Sequence, residues 1–423
     1  MFSKLVQIFK IKDLRNRILF IFAILIVFRF AAHIPVPGID VNALKDFFNS
    51  QAVLGLLNMM SGGAMENFSI VALGIGPYIT SSIIFQLLAM IVPKLEEMSK
   101  EGEVGRQKIN NYTKILTVPL AFLQGYAMIT LLQRSGQGII GSLSFPQMMT
   151  IMTVMTAGTI FLVWLGDLIT EKHIGNGISL IIFAGIVSGI PQIVQQNIAT
   201  YDPSKLVNIL IFVILTLVTV AAIVFINESQ RNIPVSYARQ IRGHKTYGGR
   251  DTYLPLRVNQ AGMIPIIFAV SLAMMPNLLA QFFVTSRVAW LADAAQTVIN
   301  IFGNQIFYGL TYFVLVVAFT YFYTSIIFHP QQIAENLQKQ GGFVPGIRPG
   351  RHTSEYLGGV SNHIMLAGAM FLGVVAVLPL FISGTLSISS VISGASLIIV
   401  VSVVIETVRQ INSQLTMREY DEI

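Results

Sequence analysis

Ionisable side chains are scarce within the apolar stretches of this chain, and these are the groups that would relay protons or bind ions in a membrane. Arg29 lies clearly inside such a stretch, while Asp167 and Glu406 sit near the ends of others. Carriers of ions or charged solutes place several ionisable groups near the midplane, so this set argues against ion-coupled transport. The six His residues show no metal-ligand spacing, no His-Glu-x-x-His occurs, and with no Cys there is neither a thiolate nor a disulfide. A Walker loop and a Gly-x-Gly-x-x-Gly turn are also missing from the sequence. Ser383-Gly384 and Ser393-Gly394 raise an intramembrane serine protease, but Ser and Gly are equally what packed membrane helices use. No catalytic residue, metal site or cofactor is expected, and energy for any vectorial work would come from a partner.

The chemistry that remains belongs to neutral groups. Thr80, Ser81, Ser82 and Gln86 fall in the second apolar stretch, with Asn259 and Gln260 entering the seventh. As structural groups they would make interhelical hydrogen bonds of about 0.6–2 kcal/mol each. Functionally, a helix pair joined only by such contacts can separate. Gly185 and Gly189 form a Gly-x-x-x-Gly pair, read as close helix packing.

The elements that must carry these groups follow from composition. Of 423 residues 54% are hydrophobic and 11% charged, with mean hydropathy +0.69. A soluble domain carries about 25% charged residues, so a water-soluble enzyme of this size is excluded. Ten apolar stretches are bounded by charge or by Pro and Gly: 18–32, 70–92, 115–132, 148–165, 178–198, 206–226, 263–284, 306–328, 364–382 and 391–408. They run continuously apolar without strict alternation, which fits helices rather than a barrel. The basic start before 18–28 looks like a signal peptide, but Arg29 interrupts the run and many similar runs follow, so a retained first span is expected.

Lys and Arg set the orientation. With a cytoplasmic N-terminus, 22 of the 27 basic residues fall in cytoplasmic segments, and four (Lys45, Arg134, Lys205, Arg287) lie outside. Both termini are expected in the cytoplasm, and the net charge of +7 is then mostly topology. Two cytoplasmic loops are longer than topology needs, 228–257 and 330–360. The first is rich in Arg, Tyr and Gly, and both suit either a solvated basic cap or a docking surface for RNA phosphate or an acidic protein. One short apolar segment, 54–60, cannot span and is broken off by Ser61-Gly62-Gly63. It reads either as an interfacial helix or as a re-entrant one able to plug a pore.

At several places the residues match a family. Leu73-Gly74-Ile75-Gly76-Pro77-Tyr78-Ile79-Thr80-Ser81-Ser82 through Leu88 resembles the second-span motif of the SecY family of protein-conducting channels. Ile174-Gly175-Asn176-Gly177-Ile178-Ser179-Leu180 is similar to its fifth-span entry, and Leu254-Pro255-Leu256-Arg257-Val258-Asn259 to its seventh. Phe343 to Gly350 resembles its last long cytoplasmic loop, and Met59-Met60-Ser61-Gly62-Gly63-Ala64 its plug. The resemblance runs in order along essentially the whole chain.

It implies an all-α membrane protein of ten spans in two pseudo-symmetric inverted halves, 1–197 and 198–423. The implied function is a channel, not an enzyme, that passes unfolded proteins across the bacterial cytoplasmic membrane and releases apolar segments sideways into lipid. The implied pore ring is Ile75, Ile79, Ile182, Ile186, Ile267 and Ile399. The implied plug covers about 54–64, with Leu54, Leu56, Leu57, Met59, Met60, Gly62 and Gly63. A lateral gate between spans 2 and 7 would involve Thr80, Ser82, Gln86, Asn259 and Gln260. Implied partners are small SecE-like and SecG-like membrane subunits, the SecA motor ATPase, the ribosome through rRNA phosphates, signal sequences and preprotein chains, and the lipid bilayer. Docking would use Arg239, Arg242, His244, Lys245, Arg250, Arg348 and Arg351. The family commonly has two adjacent arginines where this chain has His244 and Lys245; Lys lacks the bidentate fork of Arg, which shifts weight to Arg348. A secondary transporter and a non-conducting membrane scaffold are the competing readings.

Overall fold

A computed structural model describes residues 10–36, 44, 58, 61–134, 144–199, 206–237, 240–242, 245–247, 252–284, 288–386 and 394–421. Helices dominate them. They are α1 (Lys12–Ala31), α2 (Gly76–Ile91), α3 (Pro93–Lys100), α4 (Glu103–Arg134), α5 (Phe145–Thr170), α6 (Gly177–Ala199) and α7 (Leu206–Glu228). After a β-ribbon come α8 (Ile264–Phe283), α9 (Ala289–Gly303), α10 (Gln305–Ile327), α11 (Pro330–Lys339), α12 (Arg351–Leu386) and α13 (Gly394–Asp421).

Each of the ten apolar stretches falls on a helix, because in lipid a helix pairs its own backbone groups. Among the described residues, six helical segments are long and apolar enough to cross a membrane, and α2 with α3 makes a seventh broken by a 102° bend. That break sits at Val92, whose extended backbone precedes Pro93; the ring of a proline disfavours helical geometry in the residue before it. Pro191 and Pro276 interrupt α6 and α8, and basic residues open α1. The second stretch differs most from its expected bounds. Its helix begins at Gly76, and 61–75 run as turns that include Gly74 at φ +56°. Composition had also not marked α9, an amphipathic helix between α8 and α10.

Three apolar clusters fill the bundle. One lies among the turns that precede α2 (Phe68, Ala72, Leu73), α4 and α5, around Ala121, Ile129 and Met155. Another lies among α7, α8, α10, α12 and α13, around Ile266, Tyr312 and Leu372. The third draws on α1, α2, α5, α6, α8 and α13 and therefore joins early helices to late ones. Helices α1–α6 and α7–α13 meet along two seams: α2 and α4 against α8, and α6 against α13. By contrast α7 turns Leu210, Val213, Ile214, Leu217 and Phe225 outward, an apolar face suited to lipid.

The two long loops are joined by strands. β1 (Gln230–Tyr237) pairs antiparallel with β4 (Thr252–Arg257) from Gln230↔Arg257 to Val235↔Thr252. β2 (Gln240–Arg242) and β3 (Lys245–Tyr247) form a hairpin between them. β5 (Gly342–Phe343), from the other loop, adds to the free edge of β1 through Ser236↔Phe343 and Tyr237↔Gly342. Ile233, Leu256, Val344 and Leu357 pack beneath this sheet. The loops therefore make one small domain, a pairing that the sequence did not reveal.

Candidate functional site

The six isoleucines expected at the constriction come from four helices or their starts, and each helix is placed by a local device. Ile75 is the residue before α2, with its carbonyl accepting from the Ile79 N–H at 3.0 Å. For α6, the Thr170 hydroxyl accepts from Gly177 N–H at 3.0 Å and the Asn176 side chain caps Ser179 N–H at 3.1 Å. A Cβ on Gly177 would lie 1.8 Å from the Gly166 carbonyl oxygen, so only glycine permits this α5–α6 turn. On α8, Pro265 lies in the first turn ahead of Ile267. On α13, Gly394 presses against the Val375 and Ala376 carbonyls, which seats Ile399.

The outcome is convergence. Ile75, Ile79, Ile182, Ile186, Ile267 and Ile399 are all buried, none more than 8% exposed, and all belong to the one cluster shared by early and late helices. Of the central cluster's helices, α2 and α6 come from the first part of the chain and α8 and α13 from the second. The six isoleucines thus share one buried apolar cluster at the junction of the early and late helices.

Of the expected plug residues, Leu54, Leu56, Leu57, Met59 and Met60 lie outside the described residues, whereas Gly62 and Gly63 are described. Both glycines have left-handed backbones, φ +71° and +78°, which residues with a Cβ adopt at a cost. They belong to a tight turn. Asn58 Nδ2 donates to Glu66 Oε2 at 2.8 Å, Asn58 Oδ1 accepts from Glu66 N–H at 3.0 Å, and the Gly63 N–H donates to the Asn58 carbonyl at 2.9 Å. A Cβ on Gly62 would meet Gly185 Cα at 3.0 Å, which explains half of the Gly-x-x-x-Gly pair. Gly185 lies against this turn, and an added Cβ at Gly189 would meet nothing within 4 Å.

The five polar residues expected at a lateral gate do not bond to one another across it. Thr80 donates back to the Gly76 carbonyl at 3.1 Å, and Gln86 Nε2 donates to Ser82 at 3.1 Å, both within α2. Asn259 donates to Asn227 at 2.7 Å and Gln260 to Ser361 at 3.4 Å, both among the later helices. Gln86 Oε1 and Asn259 Oδ1 are buried without partners. The α2–α8 seam is therefore closed by packing rather than by bonds between these residues.

At the sheet, Arg348 is exposed and makes no ion pair among the described residues, whereas Arg351 Nε is held by Glu355 at 2.9 Å. Arg242 and Lys245 are cross-strand partners in the β2–β3 hairpin; Arg239, His244 and Arg250 lie outside the described residues. Sequence reasoning missed a charge cluster at the root of the sheet, where Arg409 bonds Glu228 at 2.8 Å and the Asn227 carbonyl at 2.9 Å. Burial, then the positive charge of Arg409, lowers the Arg257 pKa from its usual value, with Glu228 and Glu406 opposing. These residues are far apart in sequence, and no spacing signal marks them. It also missed Gln410 and Gln414 on α13, which bond Gly175 N–H and the His173 carbonyl in the α5–α6 turn.

Comparison with known proteins agrees with this geometry. The SecY family model matches residues 69–408. A protein translocase subunit SecY from Streptomyces galbus is 40% identical over 439 aligned positions, covering 100% of this chain and 99% of the relative. Among solved structures, one described as a protein conducting channel superposes with TM-score 0.64 at 17% identity, covering 93% of this chain and 91% of the other. Sec61 from a canine ribosome–channel complex superposes with TM-score 0.60 at 16% identity, covering 93% and 91%. At such identities the two structures speak for the fold, and the family model with the full-length relative speaks for descent: this chain belongs to the SecY family.

Proposed function

We propose that this chain is the central, pore-forming subunit of a protein translocation channel. It passes unfolded chains across the bacterial cytoplasmic membrane and releases apolar helices sideways between α2 and α8. The observation that carries this reading is the convergence of six buried isoleucines in the one cluster common to both groups of helices. A pore for chains of any sequence needs a constriction without binding preference that still excludes ions, and an aliphatic ring does this by dewetting.

The other parts fit the same logic. Residues 54–64 would fill the outer funnel at rest. Residues 1–197 and 198–423 would be two inverted halves that part at α2 and α8, where Thr80, Ser82, Gln86, Asn259 and Gln260 form no cross-seam bonds to break. The sheet domain, with Arg348 and Arg351 and the hairpin carrying Arg239, Arg242, His244, Lys245 and Arg250, would dock the ribosome through phosphate contacts and also the SecA motor. The ribosome-bound likeness of Sec61 supports the first of these. Small SecE-like and SecG-like subunits complete the assembly, and the distribution of 22 of 27 basic residues supports cytoplasmic termini.

The test is reconstitution. Proteoliposomes holding this chain with its small subunits, supplied with motor and ATP, should render a preprotein resistant to added protease. Uptake of a small solute with no protected preprotein would overturn the reading in favour of a transporter.

A further inference from the structure

Arg29 is the one ionisable residue well inside an apolar stretch, and nothing above uses it. It sits in the last turn of α1, beside the buried Phe28. No carboxylate among the described residues pairs with it. Its guanidinium Nη1 instead donates to the backbone carbonyl of Gly62. Gly62 is held from three sides: a Cβ there would meet Gly185 Cα at 3.0 Å, Arg29 Nη1 at 3.2 Å and Phe28 Cζ at 3.4 Å. The residue after Gly185 is Ile186, a member of the aliphatic ring. The turn itself is stiff, since Asn58, Ser61, Gly63 and Glu66 bond one another, so whatever holds Gly62 holds the turn.

We propose that Arg29 is the positioning residue of the resting seal: its charge clamps the Gly62 carbonyl and so presses the plug turn onto α6 beside the constriction. The inference rests on the channel reading given above. A carbonyl is a fitting partner for a reversible clamp. A carboxylate would hold the guanidinium in wet and dry surroundings alike, and one buried ion pair would have to be broken at every opening. A carbonyl competes with the guanidinium's hydration only while water is excluded, because unsatisfied charge in a dry interior is costly. Once a chain displaces the turn and water fills the outer funnel, the guanidinium is solvated and the clamp weakens. When the funnel dries again, Arg29 needs the Gly62 carbonyl and the turn returns. Arg is suited to this because its planar fork directs a donor while the charge stays fixed.

The chain contains no Cys, so Ser61→Cys, at a buried position in the turn, supplies a unique thiol. In proteoliposomes its rate of labelling by a membrane-impermeant maleimide, added from the plug side, reports how often the turn leaves its seat. With Arg29 present the thiol should react slowly. Arg29→Met should speed labelling about 10–100-fold, the range for losing a hydrogen bond to a charged group, and Arg29→Lys should fall between. Gly62→Ala keeps the charge but forces the turn off Gly185 and should also speed labelling, which covers the case in which Arg29→Met fails to assemble. Fast labelling with Arg29 intact, or unchanged labelling in an assembled Arg29→Met or Gly62→Ala protein, would overturn the clamp. Preprotein import by the unlabelled parent is scored separately: its loss counts against the channel reading, and unchanged labelling with import intact counts against the clamp alone.

Discussion

Asn259 donates through Nδ2 to Asn227 Oδ1 at 2.7 Å, tying the approach of α8 to the end of α7. Asn227 in turn donates to Ser402 on α13 at 3.0 Å, so the later helices are laced together at this level. Among the described residues, the side-chain hydrogen bonds that cross between α1–α6 and α7–α13 are those of Gln410 with Gly175 and Gln414 with His173. They lie on the α6–α13 side. Among the described residues, the opposite seam, α2 against α8, shows packing and no side-chain hydrogen bond. Of two seams, the bonded one should hold and the packed one should part.

Replacing Gln410 and Gln414 together by Leu should therefore weaken the molecule. The Gly175 N–H and the His173 carbonyl would be left without their partners, at roughly 1–3 kcal/mol for each group that stays buried. A lowered Tm of the purified protein in detergent is the expected result, measured by tryptophan fluorescence or light scattering. An unchanged Tm would mean that water replaces both bonds at no cost.

Gln86→Leu should act in the opposite direction. Gln86 Oε1 is buried on α2 with no partner, and relief of that penalty offsets loss of the Gln86 Nε2 bond to Ser82, for a net change of about 0–1 kcal/mol. The closed seam should gain more than an open, wet one, so Tm should stay or rise while lateral release of an apolar segment slows. Faster release in a membrane-insertion assay would contradict a seam sealed by packing.

The ring carries the most direct electrical prediction. Ile79→Ser and Ile186→Asn place hydroxyl and amide groups within a buried apolar cluster, and polar groups rewet a constriction. Planar-bilayer conductance should rise above the parent's for each, whereas Leu217→Ala on the outward face of α7 should leave it unchanged. Equal conductance in all three would remove these isoleucines from the seal.

Docking should distinguish two neighbouring arginines. Arg348 is exposed and makes no ion pair among the described residues, while Arg351 is engaged by Glu355 at 2.9 Å. Arg348→Ala should weaken ribosome binding and reduce the salt slope by roughly one phosphate's worth, a change of about 0.7–0.9 in log–log slope. Arg351→Ala should change it less, because its charge is already partly neutralised. Co-sedimentation across a salt series measures both.

How far the sequence alone reaches is visible residue by residue. Hydropathy was enough to locate ten helices, because a long apolar segment in lipid has few ways other than a helix to satisfy its backbone. It did not locate the start of α2: the apolar run 70–75 has the same composition as the helix after it, and the left-handed Gly74 that keeps it in turns is a matter of conformation. Nor did it reveal that the two basic loops share a sheet, since pairing between Ser236 and Phe343 depends on residues about a hundred positions apart.

The chemistry divides in the same way. Residue types by themselves placed this protein in lipid, gave the 22-of-27 bias of its basic residues that sets the expected orientation, and left its apolar stretches short of ionisable groups. These are sums over the chain, and transfer free energies add without regard to partners. Tertiary structure decided which isoleucines among many are buried together, that Asn259 bonds within its own group of helices, and that Arg29 spends its charge on the Gly62 carbonyl. Each of these is a distance between residues remote in sequence. An isoleucine facing lipid and one buried at the junction of early and late helices have the same hydropathy, and only the packing tells them apart.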